Sequence, residues 1–444
     1  MDHISFISTS TIHLPPTDQD QFSSKIELTP WDLQLVLFDY IQKGLLFHKP
    51  KPESNFVQHL KNTLSRTLEI FYPLAGRLVM VKNAPHNENA SFFIECNNAG
   101  ALFSHAISDH ITVDDILKPV YVPDDVIYSF FPLNNVLNFE GVSKPLLAVQ
   151  VTELVDGIFV GCTMNHCVVD GSSFWHFFNT WSQISRSSND VVYPPSFPVF
   201  GREYLNGIFN LPFQIPFSHN EVCDQFIPPP LKQRVFHFSK QKIAQLKAKA
   251  NDMSSNKSIS SLQALVAHLW ISITRNRRLN ADEEVSYTLL VGLRQRIKPP
   301  LPENYLGNAV LIGTARCTAG ELLQGGLGFA ALQINKMIGS LTEEDKVMIF
   351  LGDWAKNLEV IKKNGGFMQS NTKLGTGGSH RFDVYGNDFG WGKPLAVRSG
   401  PGNKCDGKLT VFEGKDDGSI DFEACLSPET HEAMVSDAEF MEYI

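Results

Sequence analysis

A histidine followed four residues later by an aspartate can offer an imidazole base beside a carboxylate. The chain carries that spacing three times, at His105/Asp109, His110/Asp114 and His166/Asp170. With 14 histidines and 47 acidic residues in 444 positions, about 1.5 such pairs arise by chance, so the surroundings must choose among them. The first two lie in SHAISDHITVDD, a polar, acidic stretch that reads as a solvated loop or helix entry. His166 instead ends the apolar run IFVGCTMNH, and Asp170 and Gly171 stand between it and SSFWHFFNTWSQI. On this context alone, a working base and a satisfied core histidine are equal readings.

The elements around His166 can be read from pattern. LLAVQVTEL and IFVGCTMNH are β-prone runs joined at Asp156 and Gly157, which predicts a hairpin with His166 at or just past its end. Ser172 and Ser173 are candidate caps for a helix in which Phe174, Phe177, Phe178, Trp181 and Ile184 share a buried face. Strand, short loop and helix together make a rigid platform for chemistry. Upstream, Leu60, Leu64, Leu68 and Phe71 recur at helical spacing, and Pro73 in FYPLAGRL ends that helix before a strand. The stretch LTPWDLQLVLFDYIQKGLLFHK fits helix or strand. Downstream, SISSLQALVAHLWISITR predicts a capped, buried helix and EEVSYTLLVGLR a strand. The Ser-, Asn- and Pro-rich residues between them and the His166 region predict a crossover between domains, giving 1–190, 191–230 and 231–444 as first domain, crossover and second domain.

Other chemistries fare worse. Cys167 adjoins His166, but neighbours on an extended chain point to opposite faces, so it reads as a small buried hydrophobe and not as a nucleophile. There is no G-x-S-x-G elbow and no H-E-x-x-H zinc motif. The glycines Gly375 to Gly378 lack a P-loop lysine and read as a mobile loop. DFGWGKP, from Asp388 to Pro394, permits tight turns around an aromatic residue; it shares D-F-G with kinases, but the rest of the kinase set is missing. Seven cysteines without a C-x-x-C pair argue against a disulfide framework and a structural zinc, and no metal is expected. A net charge of −9 gives no field for nucleic acid or an anionic membrane. With neither a secretory leader nor an apolar stretch of membrane-spanning length, a cytoplasmic protein without a membrane partner is expected.

Four segments taken in order, FYPLAGRL, HCVVDG, PPLPENYLGN and DFGWGKP, resemble the plant BAHD acyl-CoA-dependent acyltransferases, and the likeness runs nearly end to end. The resemblance implies an α/β fold of two similar-sized chloramphenicol-acetyltransferase-like domains with a solvent channel between them. It also implies acyl-CoA as a co-substrate with no permanently bound cofactor, a small-molecule acceptor, and a monomer. Carried onto this chain, the general base is His166. Asp170 pairs with Arg294 in VGLRQR and, with Gly171, supports the histidine loop. Asp388 matches the motif aspartate that is sometimes labelled catalytic, though a structural role for it is favoured, with Gly390, Trp391 and Gly392 shaping the CoA channel. Two departures stand out. Gly377, Gly378 and Ser379 occupy the place of a Thr-Ser-Trp run found in many hydroxycinnamoyl-transferring members, and VGLR replaces the frequent V-D-G-R. GGSHRFDVYGNDFGWGKPLAVRSG is similar to a branch described mainly as acetyltransferases. The expected activity is therefore acyl transfer from an acyl-CoA to a hydroxyl of a plant specialised metabolite. The alternatives are a relative repurposed as a CoA-independent lyase in the same channel, and a non-catalytic binding protein.

Overall fold

The computed structural model describes residues 3–16, 24–50, 55–82, 89–187, 196–217, 230–254, 258–341, 344–361 and 370–444. Two six-stranded sheets dominate the described residues. In spatial order the first comprises Ser5–Ile12, Ala101–Ile107, Leu147–Glu153, Gly157–Met164, Ile41–His48 and Ala396–Ser399. The second comprises Lys232–Phe238, Ile420–Leu426, Lys408–Glu413, Lys373–Gly378, Glu284–Gly292 and Val310–Thr318. The hairpin expected before His166 is the centre of the first sheet, with Leu147 opposite Met164 and Glu153 opposite Ile158. Its strands are buried on both faces, which is why they read as continuous apolar runs and not as alternation.

One face of the first sheet is covered by the helices Phe56–Ile70 and Gly171–Arg186, whose Leu60, Leu64, Leu68, Phe174, Phe177 and Trp181 join one core with Leu45, Phe47, Val149 and Val160. The second sheet buries Leu409, Val411 and Phe422 against the helices Lys240–Met253, Ser261–Arg277 and Ala319–Ser340. Ser260 caps the middle one in a box with Gln263. A further cluster, built on Trp31, Phe209, Leu293, Leu301 and Tyr305, draws on both halves of the chain. The short strand Ala396–Ser399, though late in the sequence, pairs antiparallel with Ile41–His48 and so completes the first sheet.

Several local expectations are corrected. The helix after His166 is capped by Asp170, whose carboxylate accepts from the Ser173 N–H, and not by Ser172 or Ser173. Gly375 to Gly378 end an interior strand, parallel to both of its neighbours, where a loop was expected; glycines carry no side-chain alternation, so the period-two signal vanishes. His105 lies in the strand Ala101–Ile107 and pairs with Glu153 at 2.9 Å. The ambiguous stretch after Leu28 resolves into both options, a capped turn of helix at Pro30–Leu33 and the strand Ile41–His48. Of the expected crossover, residues 191–195 and 218–229 lie outside the described residues; between them, Ile215–Pro216 pairs with the strand Asn89–Glu95 of a smaller sheet.

Candidate active site

His166 occupies a turn two residues beyond the strand Gly157–Met164. Its backbone is clamped from both sides. The His166 N–H donates to Asn138 Oδ1 at 2.7 Å, and its carbonyl accepts from Asn308 Nδ2 at 2.7 Å. Asn138 is itself fixed, donating Nδ2 to the Leu35 carbonyl at 2.8 Å while its own carbonyl accepts from Asn165 Nδ2 at 2.7 Å. Asn308 is fixed by Asp32, which accepts from its backbone and side-chain nitrogens, each at 2.9 Å. Asp32 has no solvent exposure, and its second oxygen takes the Thr29 N–H and hydroxyl. The loop is therefore held by backbone contacts, leaving the imidazole free for other work.

That ring keeps partial solvent access while its Nδ1 is enclosed without a hydrogen bond. Burial, the largest influence, holds its pKa below the ordinary 6.5, and the charge of Lys408 pushes the same way; nearby backbone groups and the Asp170 carboxylate oppose them. A neutral imidazole at neutral pH follows.

Asp170 does not reach that ring with a hydrogen bond; it turns to Arg294. Nη1 donates to Oδ2 at 2.6 Å and Nη2 to Oδ1 at 2.9 Å, a bidentate pair with side chains only 3% and 10% exposed. The same carboxylate accepts from the backbone of Ser173 at 2.9 Å and Ala309 at 3.3 Å. Burial pushes its pKa up, but Arg294 and these N–H groups outweigh burial and bring it below the usual aspartate value. Arg294 lies just past the strand Glu284–Gly292, and its Nη2 also donates to the carbonyls of Tyr305 and Gly307. The pair thus ties the second sheet to the histidine loop of the first.

The structure does not bring Asp388 to His166. Asp388 Oδ1 accepts from the N–H groups of Gly390 at 2.8 Å and Gly392 at 2.9 Å, and Oδ2 faces Arg186 at 4.0 Å. Both glycines have positive φ, 106° and 105°, so the carboxylate organises a turn that other residues would strain. Arg186 ends the helix that Asp170 begins, 16 residues on, which is about 24 Å away. The motif's aromatic residues pack together: Phe389 stacks on Trp391, and both meet Phe47 edge-on. Residues 382–390 run along the helix, with Phe382 against Gly171, Asn387 bonded to Asn179 and Phe389 against Trp181. A Cβ on Gly171 would come within 2.9 Å of the Phe382 ring. Gly378, at the place of the absent Thr-Ser-Trp run, has φ of 84° and packs against the Val411 carbonyl.

Sequence reasoning missed Asp32, Asn138 and Asn165. Asn308 stood at the end of the PPLPENYLGN segment, and nothing in its type or spacing singled it out. Among the described residues, no group of three or more His, Cys, Asp or Glu could hold a metal, and no helix is long and apolar enough to cross a membrane.

Residues 3–441 match the profile of the transferase family. The chain is 42% identical to an uncharacterised acetyltransferase of Arabidopsis thaliana, over 100% of this chain and 99% of the relative. It is 33% identical to the Arabidopsis thaliana BAHD acyltransferase DCR, over 97% of this chain and 91% of the relative. Its fold is similar to that of TRI101 from F. graminearum in complex with coenzyme A and deoxynivalenol, with a TM-score of 0.73, 19% identity, and coverage of 95% of this chain and 99% of that one. The α/β architecture of paired acyltransferase-type sheets is thereby shared, and the chain belongs to the plant BAHD acyltransferases within the transferase family.

Proposed function

We infer that the protein transfers an acyl group from an acyl-CoA thioester to the hydroxyl of a small plant metabolite, with His166 as general base. The observation that carries this reading is an uncharged imidazole with solvent access, held by its backbone where the two sheets meet. A proton resting on the enclosed Nδ1 leaves the Nε2 lone pair for the acceptor. The hydroxyl proton passes to Nε2 as the oxygen bonds to the thioester carbonyl carbon. The tetrahedral intermediate then collapses, the C–S bond breaks, and the imidazolium returns its proton to the departing thiolate. No acyl-enzyme is formed. Asp170, Gly171 and Arg294 hold the loop, and Asp388, Gly390, Trp391 and Gly392 shape the wall along the helix. Coenzyme A in the TRI101 complex and the acetyltransferase name of the Arabidopsis relative support the choice of donor class. On this reading the protein works as a cytoplasmic monomer.

The test is release of free CoA from acetyl-, malonyl-, benzoyl- and coumaroyl-CoA in the presence of pooled plant alcohols, followed with a thiol reagent. Acceptor-dependent release that falls about 10²- to 10⁴-fold in His166→Ala is the expected result. Undiminished release in that variant, or none with any donor, overturns the reading.

A further inference from the structure

Where the two sheets face each other, three lysines gather around one buried glutamate. Lys43 comes from the first sheet, Lys408 from the second, and Lys404 from the loop before it. Glu423, on the strand Ile420–Leu426, is 2% exposed; it pairs with Lys404 and accepts from the Ser399 N–H at 3.1 Å. That leaves two ammonium groups without a carboxylate at ion-pair distance among the described residues. Lys43 Nζ donates to the neutral Ser399 Oγ at 3.1 Å and lies over the Phe412 ring, and Lys408 Nζ donates to the Asn403 carbonyl at 2.9 Å. Asp39 acts on Lys408 only at longer range.

All three lysines keep partial solvent access, as His166 does, although they sit between the sheets. Burial lowers the Lys43 pKa to about 7, against the pull of Glu423, and lowers that of Lys408. Two lysine nitrogens without a carboxylate partner thus stand at a half-buried place between the sheets, where a bound anion would favour their charged forms. His166 is near enough to feel one of them. Lys408 acts electrostatically on that imidazole, and Lys43 lies two residues along its strand from Ile41, the register partner of Met164. From Lys43 to His166 is then four residues of paired strand and turn, roughly 13 Å.

We propose that Lys43 and Lys408 form an anion subsite that takes the carboxylate of the acceptor, so that the substrate is an elongated hydroxy acid with its hydroxyl at His166. The proposal rests on the acyltransferase reading for the hydroxyl's fate, while the anion subsite itself is testable by binding alone.

The probes are 3-(4-hydroxyphenyl)propionate and its primary amide, titrated calorimetrically into the full-length protein at neutral pH without an acyl donor. The acid should bind at least ten-fold more tightly than the amide. That preference should disappear in Lys43→Met and Lys408→Met, persist in Lys43→Arg, and survive in His166→Ala. Melting curves on every variant establish that each is folded. Equal binding of acid and amide, no detectable binding of the acid, or a preference unchanged in both methionine variants overturns the proposal. Free CoA is titrated in parallel. If the methionine variants weaken CoA ten-fold while acid and amide bind alike, the anion is a donor phosphate and the acceptor assignment falls. Acid preference without acyl transfer would sink the transferase reading and leave the subsite standing.

Discussion

The base proposed at His166 has no carboxylate behind it. Both Asp170 oxygens are occupied by Arg294 and backbone N–H groups, and the imidazole Nδ1 has no hydrogen bond. This separates the site from a hydrolase triad, in which the acid steadies the imidazolium. The basic form is the neutral ring, whose pKa burial and Lys408 both depress. On the proposed mechanism kcat/KM should stay level as pH falls through 6.5 and decline tenfold per pH unit only below the depressed value. A pH–rate profile of the unmodified protein checks this, and Lys408→Met should move the acid limb upward because it removes a charge opposing protonation. A limb at or above 6.5 in the unmodified protein would contradict the geometry. Asp388→Asn makes the complementary case: the turn loses charge-assisted hydrogen bonds from Gly390 and Gly392, about 1 to 3 kcal/mol of stability. The pH limb should not move, which pH–rate and urea-unfolding measurements on that variant would show.

The helix Gly171–Arg186 is located by more than one distant part of the chain. At its start, the Asp170 cap is also half of a buried ion pair, so removing the carboxylate strands Arg294 without a counter-charge as well as uncapping the helix. Asp170→Ala should cost about 3 to 5 kcal/mol, while Asp170→Ala combined with Arg294→Met should recover part of that; denaturant unfolding of the set gives the coupling directly. Along its side, Phe382 leaves no room at Gly171. Gly171→Ala should destabilise by about 1 to 3 kcal/mol through overpacking, and Phe382→Leu in the same chain should restore most of it. If the double variant is no more stable than Gly171→Ala, the helix is not positioned by that contact. Pattern identified this helix and the hairpin before it, because apolar periodicity is written in local sequence, while the pairing of Asp170 with Arg294 was implied by the family resemblance alone. The clamp on His166 was not legible. Asp32, Asn138 and Asn308 are polar residues whose partners lie across long separations, 276 residues for Asp32 and Asn308, so no local spacing marks them.

Across the whole molecule, the two sheets are joined by polar contacts as well as by apolar packing, and this ties stability to pH. The strand Ala396–Ser399 leaves the second half of the sequence to finish the first sheet, and a composition-based reading of domains has no signal for such a return. Around the second sheet, His268 and His431 are buried and held neutral, each with a pKa near 4 because burial penalises the charged ring. An unfolded histidine titrates near 6.5, so between 6.5 and about 4 the unfolded chain binds more protons. The stability these two rings contribute is full above that window and falls as pH drops through it, about 1.4 kcal/mol per pH unit for each histidine. His166, His176 and His380, all depressed by burial, add in the same direction. Asp124 and Asp421 oppose them: burial raises both pKa values, that of Asp124 to about 6, so acid relieves them, Asp124 offsetting roughly one histidine between 6 and 4. Below that range Glu423, held near 2 because Lys404 and Lys43 overcome its burial, adds a further loss. The net expectation is a stability that declines continuously from pH 6.5 downward. Urea unfolding at pH 7, 5.5 and 4.5 should show it, and His268→Gln with His431→Gln should flatten the slope by about 2.8 kcal/mol per pH unit. A slope unchanged in that double variant would mean that these two rings are not held neutral by burial, and that acid sensitivity lies instead with the carboxylates between the sheets.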